Sequence, residues 1–347
     1  MPEDILNERE REILRATVKE FINSGEPVGS RSVSKRYGLN LSPASIRNIM
    51  ADLEEKGYLH QPHTSAGRIP TDRGYRCYVD SLIERFRLSK ADEARIEKCY
   101  RPSSCELEDV MRMTSKVLSA YSHYIGMVFA PKLRSAQFKR IEFIHLQSER
   151  ILVVLVSQSG VVIHKVIHMD EVMNQEQLNR ISARLNDMLG GLTLEEVRDL
   201  ILSRMAEEKM LYDDPLRHAV KLGQKAFEGA EEGDFYVGGT ANLVSQPEFA
   251  DAERMRFIFS TFEEKGRLVK ILDECLRQQS VSVIIGSENQ AAEIGDCSLV
   301  ACPYCYRDLP VGILGVLGPK RMEYPRIMSL VEYTAKLVSR MLAEMCV

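Results

Sequence analysis

The stretch Ser42–Glu55, with the sequence SPASIRNIMADLEE, decides how the first part of the chain folds. Its Ser-Pro pair predicts a helix start, because the serine hydroxyl can cap free backbone N–H groups and proline fits the first helical position. Apolar residues then recur at the spacing of a single helix face, at Ile46, Ile49, Met50 and Leu53. The stretch therefore predicts an amphipathic helix with a buried apolar stripe and a polar outer face.

The predicted outer face is suited to duplex DNA near its N-terminal end. The residues there are small or uncharged apart from one arginine, and they are Ser42, Ala44, Ser45, Arg47 and Asn48. Such a face can enter a major groove about 12 Å wide, where Arg47 can pair bidentately with guanine and Asn48 with adenine. Ser42 and Ser45 can donate to a phosphate at the helix N-terminus, which already favours an anion.

Two further helices are predicted upstream of this stretch. Asn7 and Glu10 predict a capping box at the start of the first helix, and Gly25 is expected to end it. Ser30 is expected to cap a short second helix, which Gly38 ends. The second and third helices then follow one another in the order of a helix-turn-helix.

A predicted hairpin follows Gly57, at which the third helix is expected to end. Within Tyr58–Gln61 and the following Pro62–Pro70, two short extended pieces flank a polar, glycine-containing tip, which is typical of a wing. Arg68 could enter a minor groove, because the adjacent Gly67 allows close backbone approach and the narrow groove attracts arginine. An amphipathic helix alone is usually only a surface helix, but the ordered set of helices, turn and hairpin favours DNA binding.

The charge distribution agrees with a DNA contact at one end of the molecule. The chain has 347 residues and a formal net charge of −4. The window 28–78 has eight basic and four acidic residues, so it carries +4 and the remainder carries −8. The basic residues of this window are Arg31, Lys35, Arg36, Arg47, Lys56, Arg68, Arg73 and Arg76. We therefore expect a local cationic surface on an acidic body.

Length, hydropathy and cysteine usage together predict a multidomain cytoplasmic protein. The length is more than one hydrophobic core usually reaches, so two or three domains are expected. The first residues lack the pattern of a signal peptide. No apolar run approaches the roughly 20 residues that span a bilayer, so no membrane partner is expected. The eight cysteines are scattered, which favours reduced thiols over a disulfide framework.

The rest of the chain predicts a mixture of helices and strands, as in an α+β fold. Helices are predicted from about Glu106 to Tyr121, over much of 174–227, around Glu253–Leu276 and after Pro325. Strands are predicted near 124–130, 138–146, 151–156, 161–168, 281–285, 298–301 and 311–317, and the second to fourth of these are expected to form a meander. A tight turn is expected at Gly238-Gly239.

A lone CxxC motif, Cys302-Pro303-Tyr304-Cys305, raises a different class of function. With Cys297 nearby it could be a redox pair or half of a zinc site. Incidental buried cysteines are the better interpretation, because zinc usually takes four ligands and no second CxxC or HxxxH motif follows. The sequence has no P-loop, nucleophile triad or paired-carboxylate pattern. We therefore expect no enzyme activity, no metal and no cofactor.

Several stretches resemble the signature motifs of the HrcA family of heat-inducible repressors. They are EPVGSR at Glu26–Arg31, SPASIRN at Ser42–Asn48, HTSAGRIPTD at His63–Asp72, GGTANL at Gly238–Leu243, QPEF at Gln246–Phe249 and GILGVLGP at Gly312–Pro319. The resemblance covers essentially the whole chain. The motifs in the N-terminal part are the most specific ones.

The resemblance implies a multidomain α+β fold with three parts. These are an N-terminal winged helix-turn-helix, a GAF-like α/β domain, and an α+β dimerisation domain inserted within it. The winged helix is expected at residues 1–85 and a linker at 86–104. The discontinuous GAF-like domain is expected at 105–137 and 231–347, and the inserted domain at 138–230. Because GAF-like folds often hold small molecules, a ligand-sensing winged-helix regulator stays open as an alternative.

The resemblance also implies a function and three partners. The family binds, as a dimer, an inverted repeat upstream of chaperone operons and represses them, and an inverted repeat mirrors a two-fold axis. The GroE chaperonin maintains this activity by helping the repressor stay folded, and heat diverts the chaperonin to other clients. The expected DNA-binding residues are Ser30, Arg31, Ser42, Ala44, Ser45, Arg47, Asn48, His63, Thr64, Gly67 and Arg68.

Overall fold

The chain forms two compact units that contain both helices and strands. The computed structural model describes residues 6–38, 41–64, 66–83, 86–100, 107–129, 137–146, 149–158, 162–169, 173–193, 196–197, 200, 222, 235–244, 246–249, 275, 280–289, 295–306 and 309–345. The first unit comprises residues 1–128, 236–304 and 313–338, and the second comprises 129–235, 305–312 and 339–347. The architecture is therefore a multidomain α+β fold.

Three helices open the first unit: α1 (Glu8–Ser24), α2 (Ser30–Tyr37) and α3 (Pro43–Glu55). The predicted capping box of α1 is confirmed, because the Glu10 N–H donates to Asn7 Oδ1 and the Asn7 N–H donates to Glu10 Oε2, both at 2.9 Å. Gly25 and Gly38 end α1 and α2 in the left-handed region, with φ of 71° and 56°. The two helix ends are thus as predicted.

The start of α2 differs from the prediction. Gly29, and not Ser30, is the N-cap, and no side chain caps the helix. The cause is the strand-like pairing of Val28 with Arg68. It keeps the chain extended up to Val28, so only Gly29 separates the extended segment from the helix. Ser30 is therefore already the first helical residue, and only 9% of it is exposed.

Helix α3 begins as predicted. Ser42 is its N-cap and accepts a hydrogen bond from the Ser45 N–H at 3.1 Å. Three members of the apolar stripe, Ile46, Met50 and Leu53, are at most 1% exposed and form the core with α1 and α2. Ile49 was expected to be buried with them but is only half-buried, because it lies at the margin of the stripe.

A hairpin follows α3, built from β1 (Leu59–His60) and β2 (Ile69–Pro70) in antiparallel pairing. Val28 extends this small sheet, since its N–H and C=O both bond to the backbone of Arg68 at 2.9 Å. A Cβ on Gly67 would lie 2.5 Å from the Val28 carbonyl carbon and oxygen. Glycine is therefore required here by the neighbouring backbone of the same chain.

Helix α4 (Asp72–Cys77) continues into a π-helical turn, Tyr78–Leu82. Thr71 caps it, as its Oγ1 accepts from the Gly74 N–H at 3.1 Å. The segment expected to be a linker contains α5 (Lys90–Tyr100), and Ile96 within it is fully buried. This segment is thus packed against the body of the first unit over the part that the structure describes.

A five-stranded sheet supports the remainder of the first unit, with the order β7-β3-β10-β9-β8. The strands are β3 (Ile125–Phe129), β7 (Phe235–Gly238), β8 (Ser282–Ile285), β9 (Cys297–Tyr306) and β10 (Leu309–Pro319). The helices described beside them are α6 (Leu107–Ser122), α8 (Thr240–Val244) and α9 (Tyr324–Met345). Helix α9 is the predicted terminal helix, whereas the helix predicted around 253–276 lies outside the described residues.

The GGTANL motif has a packing role in this sheet. A Cβ on Gly238 would lie 2.7 Å from the Ser115 carbonyl oxygen, so α6 can approach the sheet only where there is no side chain. Gly239 has a φ of 75°, which confirms the predicted tight turn. Asn242 then donates to Ser119 Oγ at 2.9 Å and fixes the turn on α6.

The second unit contains the predicted meander, in which β4 (Phe138–His145), β5 (Arg150–Ser157) and β6 (Val162–His168) pair antiparallel as a separate sheet. Helix α7 (Gln175–Leu189) covers one face of this sheet. The core between them includes Phe138, Ile141, Phe143, Val153, Leu155, Leu178 and Leu185. In the part of the chain that the structure describes, no helix is long and apolar enough to cross a membrane.

Candidate nucleic-acid interface

The N-terminal end of α3 presents exposed polar groups at a defined geometry. The hydroxyl oxygens of Ser42 and Ser45 are 3.0 Å apart, and both residues are exposed. Pro43 and Ala44 between them are exposed as well and add no bulk. Both hydroxyls can therefore face an anion without any rearrangement of the helix.

Arg47 and Asn48 follow on the same exposed surface. Neither side chain has a hydrogen bond or an ion pair with another of the residues that the structure describes. The buried Ile46 before them and Met50 after them fix the rotation of the helix. A guanidinium and an amide are therefore held outward by the fold and have their donors free for an external partner.

The eight basic residues of the 28–78 window divide into two groups. Five of them have partners within the chain: Arg36 with Glu20, Lys56 with Glu10, Arg68 with Glu54, Arg73 with the Lys56 carbonyl, and Arg76 with Glu288. The other three are Arg31, Lys35 and Arg47, which are exposed and have no such partner among the described residues. Among the described residues, the cations of this window that lack any partner thus lie on α2 and α3, whereas the exposed Arg73 on α4 contacts the neutral Lys56 carbonyl and Tyr58 and keeps its charge uncompensated.

Two of the paired cations hold the three helices together. Arg36 Nη1 lies 2.6 Å from Glu20 Oε1, and the Lys56 Nζ lies 2.7 Å from Glu10 Oε1. Burial opposes ionisation of Glu10, but Lys56 and the Asn7 N–H outweigh it and lower the pKa of Glu10 below its usual value. These charges therefore stabilise the scaffold and are not available to an external anion.

Arg68 of the hairpin is held by a carboxylate of α3. Its Nε and Nη2 both lie 2.9 Å from Glu54 Oε2 on α3, and only 15% of its side chain is exposed. The other carboxylate oxygen of Glu54 accepts from the Gln61 N–H at 2.9 Å. Gln61 Nε2 in turn donates to the carbonyl of Ala66 at 2.9 Å. This network fastens the hairpin to α3.

The remaining predicted site residues lie around this network. His63 and Thr64 are exposed at the hairpin tip, and Gly67 is half-buried against Val28. Arg31 is exposed on α2, whereas Ser30 beside it is buried. The α3 residues thus form a continuous exposed surface, while Ser30, Gly67 and Arg68 are held by contacts within the chain. We call Arg31, Lys35, Ser42, Ala44, Ser45, Arg47 and Asn48 the outer surface.

A second polar surface, on α4, was not anticipated from the sequence. Asp72 accepts from Lys320 Nζ and from the Ser287 N–H, both at 2.9 Å. Burial opposes ionisation of Asp72, but these donors outweigh it and lower the pKa of Asp72. Arg76 contacts Glu288 with Nε at 2.8 Å and with Nη2. These contacts link residues more than 200 positions apart, which no local pattern can indicate.

Tyr75 lies between these two charged residues. Its ring centroid is 6.0 Å from that of Tyr324, and only 2% of the residue is exposed. Its hydroxyl is buried and has no hydrogen-bond partner among the residues that the structure describes. Burial also raises the pKa of this phenol well above its usual value. We call Asp72, Tyr75 and Arg76 the junction surface, because it packs α4 against the body of the first unit.

The CxxC motif does not have the geometry of a redox pair. Cys302 and Cys305 lie three positions apart within β9, so their side chains point to opposite faces of the sheet. Cys302 is 6% exposed, and burial raises the pKa of the nearby Cys297 to about 12. Among the residues that the structure describes, no three His, Cys, Asp or Glu residues are grouped as a metal site.

Comparison with known proteins identifies the family. A family model described as the HrcA protein C terminal domain matches residues 108–328. The curated protein named heat-inducible transcription repressor HrcA from Syntrophobacter fumaroxidans is 45% identical over 98% of each chain. The chain belongs to the HrcA family. A protein of the same name from Geobacter sulfurreducens is also 45% identical, over 97% of this chain and 98% of its own.

A solved structure agrees with the fold over the same extent. It is a crystal structure of a hypothetical protein at 2.2 Å resolution, with a TM-score of 0.64 and 25% identity. The match covers 98% of this chain and 100% of that one. Because the HrcA relative from Syntrophobacter fumaroxidans matches 98% of this chain, the HrcA relationship includes the N-terminal helices as well as the region of the family model.

Proposed function

We propose that this chain is a dimeric, heat-inducible transcription repressor that binds an inverted-repeat operator through an N-terminal winged helix. The winged helix comprises α1–α3 and the β1–β2 hairpin. One observation carries the proposal: among the described residues, the outer surface holds the three exposed cations of the 28–78 window that have no partner, next to Asn48, which has none either. Because free donors and positive charge attract nucleic acid, this surface is suited to duplex DNA.

Helix α3 enters the major groove in this proposal. Ala44 and Pro43 allow close approach of its N-terminal turn, where Ser42 and Ser45 donate to a phosphate. Arg47 pairs with guanine and Asn48 with adenine, since these are the bidentate partners that their donors match. Arg31 and Lys35 lie one turn apart on α2 and contact the adjacent phosphates, which fix the orientation but carry no sequence information.

The hairpin acts as the wing. Its exposed tip offers His63 and Thr64 to the backbone or the minor groove. A minor-groove contact by Arg68 requires its guanidinium to exchange Glu54 for DNA, because Glu54 now holds both Nε and Nη2. Gly67 places that arginine by letting the hairpin lie directly against Val28. Ser30 is buried, so it contributes to the proposed site only as the first residue of α2.

A second copy of the chain is the proposed partner of the second unit. The face of the β4–β6 sheet opposite α7 carries Ile144, Leu152 and Val166 in a cross-strand row. Ile144 is 40% exposed and Val166 39% exposed, although both are large and apolar. An exposed apolar sheet face marks an interaction site, and a two-fold dimer would bury two such faces together.

The remaining assignments extend the same proposal. Residues 1–85 form the winged helix, and 86–104 form a linker that includes the packed helix α5. The GAF-like domain comprises 105–137 and 231–347, and 138–230 form the inserted dimerisation domain. The protein acts in the cytoplasm, where the GroE chaperonin maintains its active fold. Heat diverts the chaperonin and releases repression. Footprinting on the chain's own upstream region, with and without chaperonin after a heat pulse, tests this step.

Selection of sequences from a random duplex pool tests the DNA-binding proposal. The purified full-length protein is expected to enrich an inverted repeat, and Arg47→Ala is expected to weaken binding to it by about 1–3 kcal/mol. Lys98→Ala is the matched control, since Lys98 is an exposed cation on α5 outside the proposed interface. Failure to enrich any repeat, or equal loss with both variants, would contradict the proposal.

Light scattering tests the dimer. Ile144→Asp is expected to give monomers, because it places a charge in the apolar face while leaving the core beneath α7 intact. The control is Arg180→Asp on the exposed side of α7, which also adds an acidic residue to this unit. A dimer that survives Ile144→Asp would move the interface to another surface.

A further inference from the structure

The DNA-contacting helices are docked on the body and are not joined to it by a free tether. Residues 1–128 belong to the same compact unit as 236–304 and 313–338. The docking element is α4, which follows β2 after a single residue, Thr71. Thr71 Oγ1 donates to the Gly57 carbonyl at 2.7 Å, so the start of α4 is fixed to the end of α3.

Two charged anchors on α4 hold one loop of the body. Asp72 accepts from the Ser287 N–H at 2.9 Å and pairs with Lys320 at 2.9 Å. A Cβ on Gly286 would lie 2.3 Å from Asp72 Oδ2, so this glycine forms the space that the carboxylate occupies. The first anchor is therefore a fitted contact, in which both charge and shape select aspartate.

The second anchor is Arg76, one helical turn later on the same face of α4. It contacts Glu288 with Nε at 2.8 Å, and its Nη2 donates to the Val283 carbonyl at 2.6 Å. Asp80 Oδ1 lies 3.2 Å from Nη1. Three acceptors in different directions leave the guanidinium little freedom, so Arg76 fixes the rotation of α4 about its own axis.

These anchors determine geometry more than stability. The side chains of Asp72, Lys320, Arg76 and Glu288 are between 25% and 35% exposed. Ion pairs at such partly exposed sites usually contribute little to the free energy of unfolding, because water screens them. Their directional hydrogen bonds nevertheless select one orientation of the three helices relative to the body.

We propose that Asp72 and Arg76 are positioning residues that set which half-site spacing the repressor accepts. This inference rests on the proposed function, in which two copies place two α3 helices in one operator. Half-sites lie a whole number of helical turns apart, about 34–36 Å per turn, so a small rotation of each docked unit changes the spacing that both can reach. Neither residue touches DNA in this arrangement.

The test measures affinity as a function of spacing. The duplexes are the inverted repeat selected by the full-length protein and derivatives with one base pair or five base pairs inserted between the half-sites. The parent is expected to lose about ten-fold or more in affinity for the altered duplexes, as for a mismatched base pair. Asp72→Asn and Arg76→Ala are each expected to reduce the ratio between the affinities for the original and the altered duplexes at least three-fold. Both variants are expected to keep the parental affinity for a single half-site.

Conservative and control variants make the outcome specific. Arg76→Lys, which keeps a cation beside Glu288 and Asp80, is expected to retain more of the parental spacing preference than Arg76→Ala, which a general loss of stability would not predict. Lys336→Ala is the matched control, because its ion pair with Glu332 stays within α9 and joins no two elements. It is expected to keep the parental preference. Circular dichroism identifies any variant that fails to fold, and the comparison of Arg76→Lys with Arg76→Ala then decides.

Two results would overturn the inference. One is a parent that binds the repeat but accepts altered spacing equally well. The other is a set of folded α4 variants that discriminate spacing as strongly as the parent. If the parent bound no inverted repeat at all, the proposed function itself would fail, and this outcome is distinct from the other two.

Discussion

The outer surface of α2 and α3 and the junction surface of α4 belong to one small bundle, yet they differ in whether their charged side chains have partners within the chain. On the outer surface, Arg31, Lys35 and Arg47 are exposed and have no partner among the described residues. On the junction surface, Asp72 and Arg76 each have several partners. The difference separates a surface open to an external anion from one already committed to the body of the same chain.

This contrast explains why a count of basic residues alone does not locate a DNA site. Four of the eight cations between 28 and 78 pair with carboxylates of the same chain, and a fifth, Arg73, binds the neutral Lys56 carbonyl. A cation whose charge is already compensated releases few counterions from DNA, so it adds little to affinity. The three that remain free lie on the two helices that have the order of a helix-turn-helix.

The largest expected effect is a loss of stability on substitution of a core residue between the two surfaces. Ile46→Ala removes a fully buried side chain of α3. It is expected to lower the free energy of unfolding by about 2–5 kcal/mol, since a cavity adds to the lost burial. Chemical denaturation measures this change. The control is Asp52→Ala on the exposed side of α3, and an equal loss with both variants would contradict the predicted orientation of the helix.

Arg68 lies between the two types of surface and gives the next largest effect. Arg68→Ala is expected to weaken operator binding by about 1–3 kcal/mol at fixed salt. Its effect on the salt dependence sharpens the comparison. A direct contact with DNA phosphate would reduce the salt slope by about one, whereas an action through Glu54 would leave the slope unchanged. Unaltered affinity would remove the hairpin from the interface.

A substitution of Tyr75 in the junction surface is expected to stabilise the folded chain. The buried hydroxyl of Tyr75 has no partner within the described part of the chain, and such an unsatisfied group costs about 1–3 kcal/mol. Tyr75→Phe is therefore expected to raise the free energy of unfolding by about 1 kcal/mol and to leave the half-site affinity unchanged. Thermal unfolding measures the shift, and Tyr100→Phe, which removes a hydroxyl bonded to Thr114 Oγ1 at 3.1 Å, should shift it in the opposite direction.

Glu10 is expected to give the smallest effect, and it depends on pH. Because its pKa is lowered in the folded chain, its contribution to stability is present above the usual glutamate value of 4.5 and is lost as the pH falls through the folded value. Glu10→Gln should therefore be less stable than the parent near pH 7, and the difference should shrink below about pH 4.5. Glu12→Gln, at an exposed position of α1, is the control for thermal unfolding at each pH.

Local patterns in the sequence predict much of this region. The capping box of Asn7 and Glu10, the Ser42-Pro43 start and the terminating glycines act over three or four residues, so they are visible without any tertiary contact. The meander of β4–β6 is equally visible, because alternating apolar residues repeat between short turns. These elements are where the structure agrees most closely with the prediction.

Long-range pairing is what the sequence did not predict. Ser30 fails as a cap because Val28 pairs with Arg68, and Arg68 itself is held by Glu54. The junction between Arg76 and Glu288 joins residues 212 positions apart. Such long-range contacts determine which cations remain without a partner. Local spacing could therefore indicate the face of α3 but not the pairing of Arg68 or the long-range ion pairs of α4.

Base-by-base affinity profiling of the parent and Arg47→Ala on the selected inverted repeat tests the central claim most directly. If Arg47 contacts a base from α3, the variant should lose discrimination at one symmetric pair of positions, by about 1–3 kcal/mol, and keep it elsewhere. A uniform loss across all sequences would make Arg47 a phosphate contact. An unchanged profile would mean that the exposed face of α3 is not the surface that distinguishes the operator.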